Sequence, residues 1–127
     1  MCSTTHTHEF TLHFAQKPWT TNAERAGNRW ERANNVKTWR TAFYYLAKQQ
    51  QIPQLTDVQI TVAVQQEKGR LQDVGACNPA CKAAIDGLVD AGVMVDDSPR
   101  FLTSITFLQP TRAKNGLTLH IKGTGTS

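Results

Sequence analysis

The 127-residue chain has no apolar run near the ~20 residues that a membrane-crossing helix needs. Its opening, MCSTTHTHEF, also lacks the basic stretch and apolar segment of an export signal, so a cytoplasmic location with no membrane partner is expected. Cysteine is scarce: Cys2, Cys77 and Cys81 are an odd set, which argues against a disulfide framework. Cys77 and Cys81 stand four apart, while His6, His8 and His13 lie on a distant segment, a poor match to the spacing of a structural zinc site. Small buried thiols are expected instead. Neither an internal repeat nor a low-complexity linker divides the chain, and its length suits one domain, 1–127, with its own core. Only the ends, 1–6 and 123–127, have the small polar composition of flexible termini. Acidic side chains are the minority, ten Asp and Glu against fourteen Lys and Arg, for a net charge of +4. That excess favours a polyanionic partner such as nucleic acid or a charged surface.

Hydrophobic spacing gives the elements. In HEFTLHF, residues 8–14, Phe10, Leu12 and Phe14 alternate with Glu9, Thr11 and His13, which predicts a half-buried strand. The polar segment after it, to about residue 35, predicts a long loop carrying Lys17, Arg25, Arg29 and Arg32 with Trp19 and Trp30. Val36, Trp39, Phe43, Leu46 and Ala47 recur at helical spacing and predict a helix over 36–50, with Trp39 in the core. DVQITVAVQQ, residues 57–66, is the clearest strand. A second helix is bracketed over 79–91 by Asn78 as N-cap, Pro79 in its first turn and Gly92 as a left-handed cap. Finally, 101–108 and 117–122 are two strand-like runs whose connection contains Asn-Gly, which predicts a hairpin. The order strand, helix, strand, helix, strand, strand defines an α/β (α+β) domain with a mixed sheet and two main helices.

The segment KAAIDGLVDAGVMVDDSPR raises a chemical question, because adjacent Asp96 and Asp97 repel unless solvent, a cation or a basic group offsets them. Asp73 precedes the second helix and the aspartates follow it, about 18 Å apart along a twelve-residue helix. They meet only if residues 93–95 double back from a turn at Ala91-Gly92. Carboxylates gathered there beside lysine and arginine are what magnesium-assisted phosphodiester chemistry requires.

Lys82, Ala83, Ala84, Asp86, Leu88, Ala91, Gly92, Asp96 and Asp97 reproduce a helix-and-return pattern. In it the chain resembles the RusA family of Holliday-junction resolvases, and the order of its strands, helices and basic loop agrees across most of its length. The resemblance implies a small homodimeric endonuclease, phage or prophage encoded, that binds four-way DNA junctions in the host cytoplasm. It would cut them with Mg²⁺, or Mn²⁺, and no small-molecule cofactor. By position it implies catalytic roles for Asp73, Asp97 and Lys82, and metal ligation by Asp73 and Asp97 with Asp96 beside them. Arg25, Arg29, Arg32, Lys68, Arg70 and Arg100, joined by Arg112 and Lys114, are candidate phosphate contacts. Any of the three tryptophans is a candidate for stacking on opened bases. The chain departs from the family at Gly75, which stands where a second aspartate is expected, and Asp73 lies nine residues before Lys82 rather than six. Fewer carboxylates weaken a site for a hard cation, so a protein that binds branched DNA without cutting it is the alternative.

Overall fold

The computed structural model describes residues 5–20 and 28–126. Five strands and two helices follow in the order β1 (Thr5–Phe14), α1 (Arg29–Gln49), β2 (Thr56–Gln66), α2 (Asn78–Asp90), β3 (Leu102–Phe107), β4 (Thr111–Arg112) and β5 (Gly116–Thr126). This is the mixed α+β architecture expected, in one small domain. Among the described residues no helix is long and apolar enough to cross a membrane.

Helix α1 begins at Arg29, seven residues before the apolar pattern starts. Asn28 is its N-cap, accepting from the Glu31 amide at 2.9 Å, and Glu31 places an acid in the first turn. Arg29, Trp30 and Arg32 therefore stand on a helix rather than in a loop. Helix α2 begins one residue earlier than expected, so that Cys77 rather than Asn78 occupies the cap position, and the Cys77 side chain makes no capping hydrogen bond. At its other end Gly92 has φ +84°, with its own amide donating to Val89 O and the Val93 amide to Leu88 O. That pair of bonds is a Schellman cap and turns the chain sharply back.

The sheet order is β1-β5-β2-β3, with β4 also on β2. β5 runs antiparallel to both its neighbours, and β3 and β4 run parallel to β2 as successive segments along one edge. The expected hairpin between 101–108 and 117–122 is thus overturned. Gln65 pairs with Thr111 on one side and with Gly116 on the other, so the Asn-Gly connection wraps around the end of β2. Burial explains the choice: Leu117, Leu119 and Ile121 are essentially inaccessible, which suits a central strand, whereas β3 is mostly exposed and suits an edge. β5 also continues to Thr126, through most of a segment expected to be flexible.

Leu12, Val58, Ile60, Val62, Leu117 and Leu119 line one face of the sheet and share a single core with Trp39 and Phe43 of α1 and Ala84, Ile85 and Leu88 of α2. The intervening residues, among them Thr11, Gln59 and His120, face outward. Gly87 is where the helices touch: a Cβ there would lie 2.3 Å from the Arg40 carbonyl oxygen. Arg40 closes the same contact with two hydrogen bonds to Asp90, at 2.5 and 2.8 Å.

Candidate nucleic-acid site

The turn at Gly92 sends residues 93–97 back along α2. Val93 and Met94 are buried and the Leu55 amide donates to Val93 O at 2.7 Å, which pins the returning segment to the start of β2. Asp97 consequently reaches Lys82 in the first half of the helix. The Lys82 ammonium donates to Asp86 Oδ1 at 2.8 Å and also to Asp97. Asp86 and then Asp97 raise the Lys82 pKa, and Lys82 holds the Asp97 carboxyl below the ordinary carboxylate range. Lys82 thus satisfies two carboxylates at once, where the helical spacing alone offered it Asp86. Asp90, one turn beyond Asp86 on the same helix, pairs across the helices with Arg40 instead.

Asp96 turns away from this cluster. Its carboxylate accepts from the Ser98 amide at 2.8 Å, and hydrogen bonding to Ser98 lowers its pKa. Asp73 opens a tight turn in which the Ala76 amide donates to Asp73 O at 3.0 Å, with Gly75 at φ +83°. The third position of a type II turn demands that left-handed conformation, so backbone geometry accounts for glycine where the resemblance expects an aspartate. Among the described residues no three His, Cys, Asp or Glu side chains are grouped to hold a metal ion. The set Asp73, Asp96 and Asp97 does not gather into one site, and the position between Asp86 and Asp97 is taken by an ammonium group. These donors do not fit a divalent ion held by three carboxylates.

A second feature lies where β2 ends. Gln66 sits at a core-facing position of the strand, and its buried amide organises the next turn: Nε2 donates to Lys68 O at 2.9 Å and Arg70 O at 2.5 Å, while Oε1 accepts from the Gln72 amide at 3.1 Å. Asn115 Oδ1 accepts from the Glu67 amide at 2.9 Å and fixes the strand that wraps around. The result is a cleft of about 210 Å³ between this turn and the segment after β1, with Lys17, Lys68 and Arg70 on its walls and no carboxylate among its described lining residues. Asp73 borders the same turn, beside Arg70. Cys77 closes the floor, and burial pushes its thiol pKa up. A polar residue at a core-facing strand position, as at Gln66, is the sequence signal that points to this arrangement. It is easily passed over in a run of three glutamines and glutamates.

The other expected phosphate contacts are dispersed. Arg29 and Arg32 are on the first turns of α1, Arg100 precedes β3 with its guanidinium 5.6 Å from the Phe101 ring centroid, and Arg112 is on β4. Lys114 is exposed in the connection to β5. Arg25 lies outside the described residues. Of the tryptophans, Trp39 is buried as expected and Trp19 meets it edge-on at 5.9 Å, whereas Trp30 is 80% exposed. Comparison with known sequences adds nothing to this geometry: no protein-family model matches the chain, and no curated protein matches it significantly.

Proposed function

We propose that the protein binds branched DNA as a basic, resolvase-type domain, taking the phosphate backbone in the Lys17–Lys68–Arg70 cleft and recognising four-way junctions without hydrolysing them. The observation that carries this reading is the cleft itself. Lys68 and Arg70, held on a turn that Gln66 organises, face Lys17 across the cleft with no carboxylate among its described lining residues, which offers a preformed position for phosphate. A homodimer would present two such clefts to a junction. The resemblance puts this activity in the cytoplasm of a bacterial host, on a phage-encoded protein.

Cleavage with Mg²⁺ is the second reading, favoured by the juxtaposition of Lys82 and Asp97, the two residues for which the resemblance implies catalytic roles. Against it stand Gly75 in its obligatory turn and the ammonium already seated between Asp86 and Asp97. One experiment weighs the two readings: a labelled four-way junction and a linear duplex of the same sequence are titrated with protein in Mg²⁺ and in EDTA, scoring both retention and nicks. Preference for the junction in both buffers, without nicks, supports the binding reading. Paired nicks that need Mg²⁺ and vanish in Asp97→Asn replace it with the nuclease. Equal weak affinity for both DNAs would discard both readings. Within the binding reading, Lys68→Ala and Arg70→Ala should each weaken affinity for all sequences and reduce the salt slope of log K by about 1.

A further inference from the structure

The first half of helix α1 is only lightly packed: Val36 borders a small pocket with Trp19 and with Pro79 and Ala83 of α2, and the turns before it are exposed. The first buried side chain of the helix is Trp39, and of the ten residues before that, 29–38, all are exposed except half-buried Asn35. Those ten residues form about 15 Å of helix. A helical segment that buries so little apolar surface draws little stability from packing, and this one has Asn28 and Glu31 to hold its end together instead.

Its surface is asymmetric. At ~100° per residue, Arg29, Arg32, Val36 and Lys37 fall with Trp30 on less than half of the circumference, while Glu31, Asn34 and Thr38 occupy the opposite side. Arg29, Arg32 and Lys37 form no ion pair among the described residues, in contrast to Arg40 one turn further on, which Asp90 holds. Arg32, Ala33, Val36 and Lys37 line a shallow, largely apolar groove that ends at Arg40. An indole 80% exposed at the tip of a cationic face, with an apolar strip behind it, offers both things an unpaired nucleotide can use: charge for its phosphate and a flat ring for its base. Double-helical DNA, whose bases are already stacked, uses only the first.

We propose that the first half of α1 is a base-stacking element, in which Trp30 stacks on a nucleobase exposed at the centre of a DNA branch while Arg29, Arg32 and Lys37 hold the flanking phosphates. This rests on the branched-DNA reading and adds to it the residue that distinguishes a branch from a duplex. Commitment to DNA rather than a protein partner comes from charge: the only charged residues on the face are the cations Arg29, Arg32 and Lys37, and its one exposed aromatic side chain is a ring that every base can stack on.

The test measures affinity of the wild-type chain, Trp30→Ala, Trp30→Phe and the double variant Arg29→Ala with Arg32→Ala for a four-way junction, a linear duplex and single-stranded DNA. Acrylamide quenching of tryptophan emission is followed with and without junction. Trp30 is the most accessible of the described tryptophans, with Trp19 half-buried and Trp39 buried, so bound junction should reduce the quenching. Trp30→Ala should weaken junction and single-strand binding by roughly 5- to 150-fold with much less effect on duplex, Trp30→Phe should recover most of the loss, and the double arginine variant should weaken all three DNAs. Wild-type junction affinity in Trp30→Ala overturns the stacking role and leaves the branched-DNA reading standing. An equal loss on duplex and junction overturns it too, reducing Trp30 to a general contact. If the loss instead accompanies conversion of a dimer to a monomer in sedimentation, the face joins two copies of the chain and the proposal fails. A wild-type chain that binds no junction removes both the reading and the inference.

Discussion

Gly87→Ala separates a helix considered by itself from a helix in its place. On an isolated helix the change is favourable, because alanine exceeds glycine in helix propensity by about 1 kcal/mol. In the structure the new methyl would fall 2.3 Å from Arg40 O and 3.1 Å from Tyr44 N, both backbone atoms of α1. No rotamer relieves that contact. To reach ordinary van der Waals distance the helices must part by about 1 Å, over a core in which Phe43, Ala84 and Leu88 are fully buried and have no slack. Overpacking of this kind costs about 1–3 kcal/mol, and a backbone-to-backbone clash belongs at the upper end. Set against the propensity gain, the net loss is about 2 kcal/mol, which for a domain of this size lowers Tm by roughly 6–10 °C. Far-UV circular dichroism and tryptophan emission, followed through heat and urea, would report it, with Trp39 buried near the contact as a probe. A variant as stable as the wild type, or more so, would refute the close helix crossing, and with it the placement of α1 that carries the proposed stacking face.

Lys82→Ala removes the ammonium shared by Asp86 and Asp97; because Lys82 is more than half exposed, the cost should be only about 1 kcal/mol at neutral pH by urea denaturation. Asp97 is held below its ordinary pKa, so its share of that stability is present above the unfolded carboxylate range and lost as pH falls through the lowered folded value. The difference between wild type and variant should accordingly shrink towards pH 2, and a constant difference would contradict the ion pair. Burial pushes the Cys81 thiol up to about 12 and raises Cys77 as well. Folding therefore loses stability as pH rises past the unfolded thiol value, and in a Cys2→Ser background a disulfide reagent at pH 7 should label neither thiol until the protein unfolds; rapid labelling of the native state would sink that expectation. Gly75→Asp forces a carboxylate-bearing residue to φ +83° and should cost about 1 kcal/mol in the same urea assay. Unchanged stability would show that the turn tolerates the second aspartate and reopen the metal reading.

Much of this protein was legible from its residues. Alternation fixed β1 and β2 as strands with one apolar face, helical spacing placed Trp39 and Phe43 in the core, and Gly92 marked the turn that carries Asp97 back to Lys82. These are local properties, set by side-chain periodicity and backbone sterics within a few residues. The first half of α1 escaped because Trp30, Ala33 and Val36 are too few among polar residues to form a detectable stripe; only the Asn28–Glu31 cap announces it, and a cap is a faint signal without a stripe behind it. The supposed hairpin failed for a different reason. Asn-Gly can close two neighbouring strands, but nothing local says which strand becomes the neighbour, and the more apolar β5 took the central place between β1 and β2. The clustering of charge was decided the same way. Sequence named Lys68, Arg70, Asp73, Asp86 and Asp97, but only the wrapping of 113–115 around β2 and the return after α2 determined that the first two share a cleft with Lys17 while Asp86 and Asp97 share one lysine. Periodicity determines which face of each element is buried. Which elements meet, and hence which charges can act together, is settled by competition for the core across the whole chain.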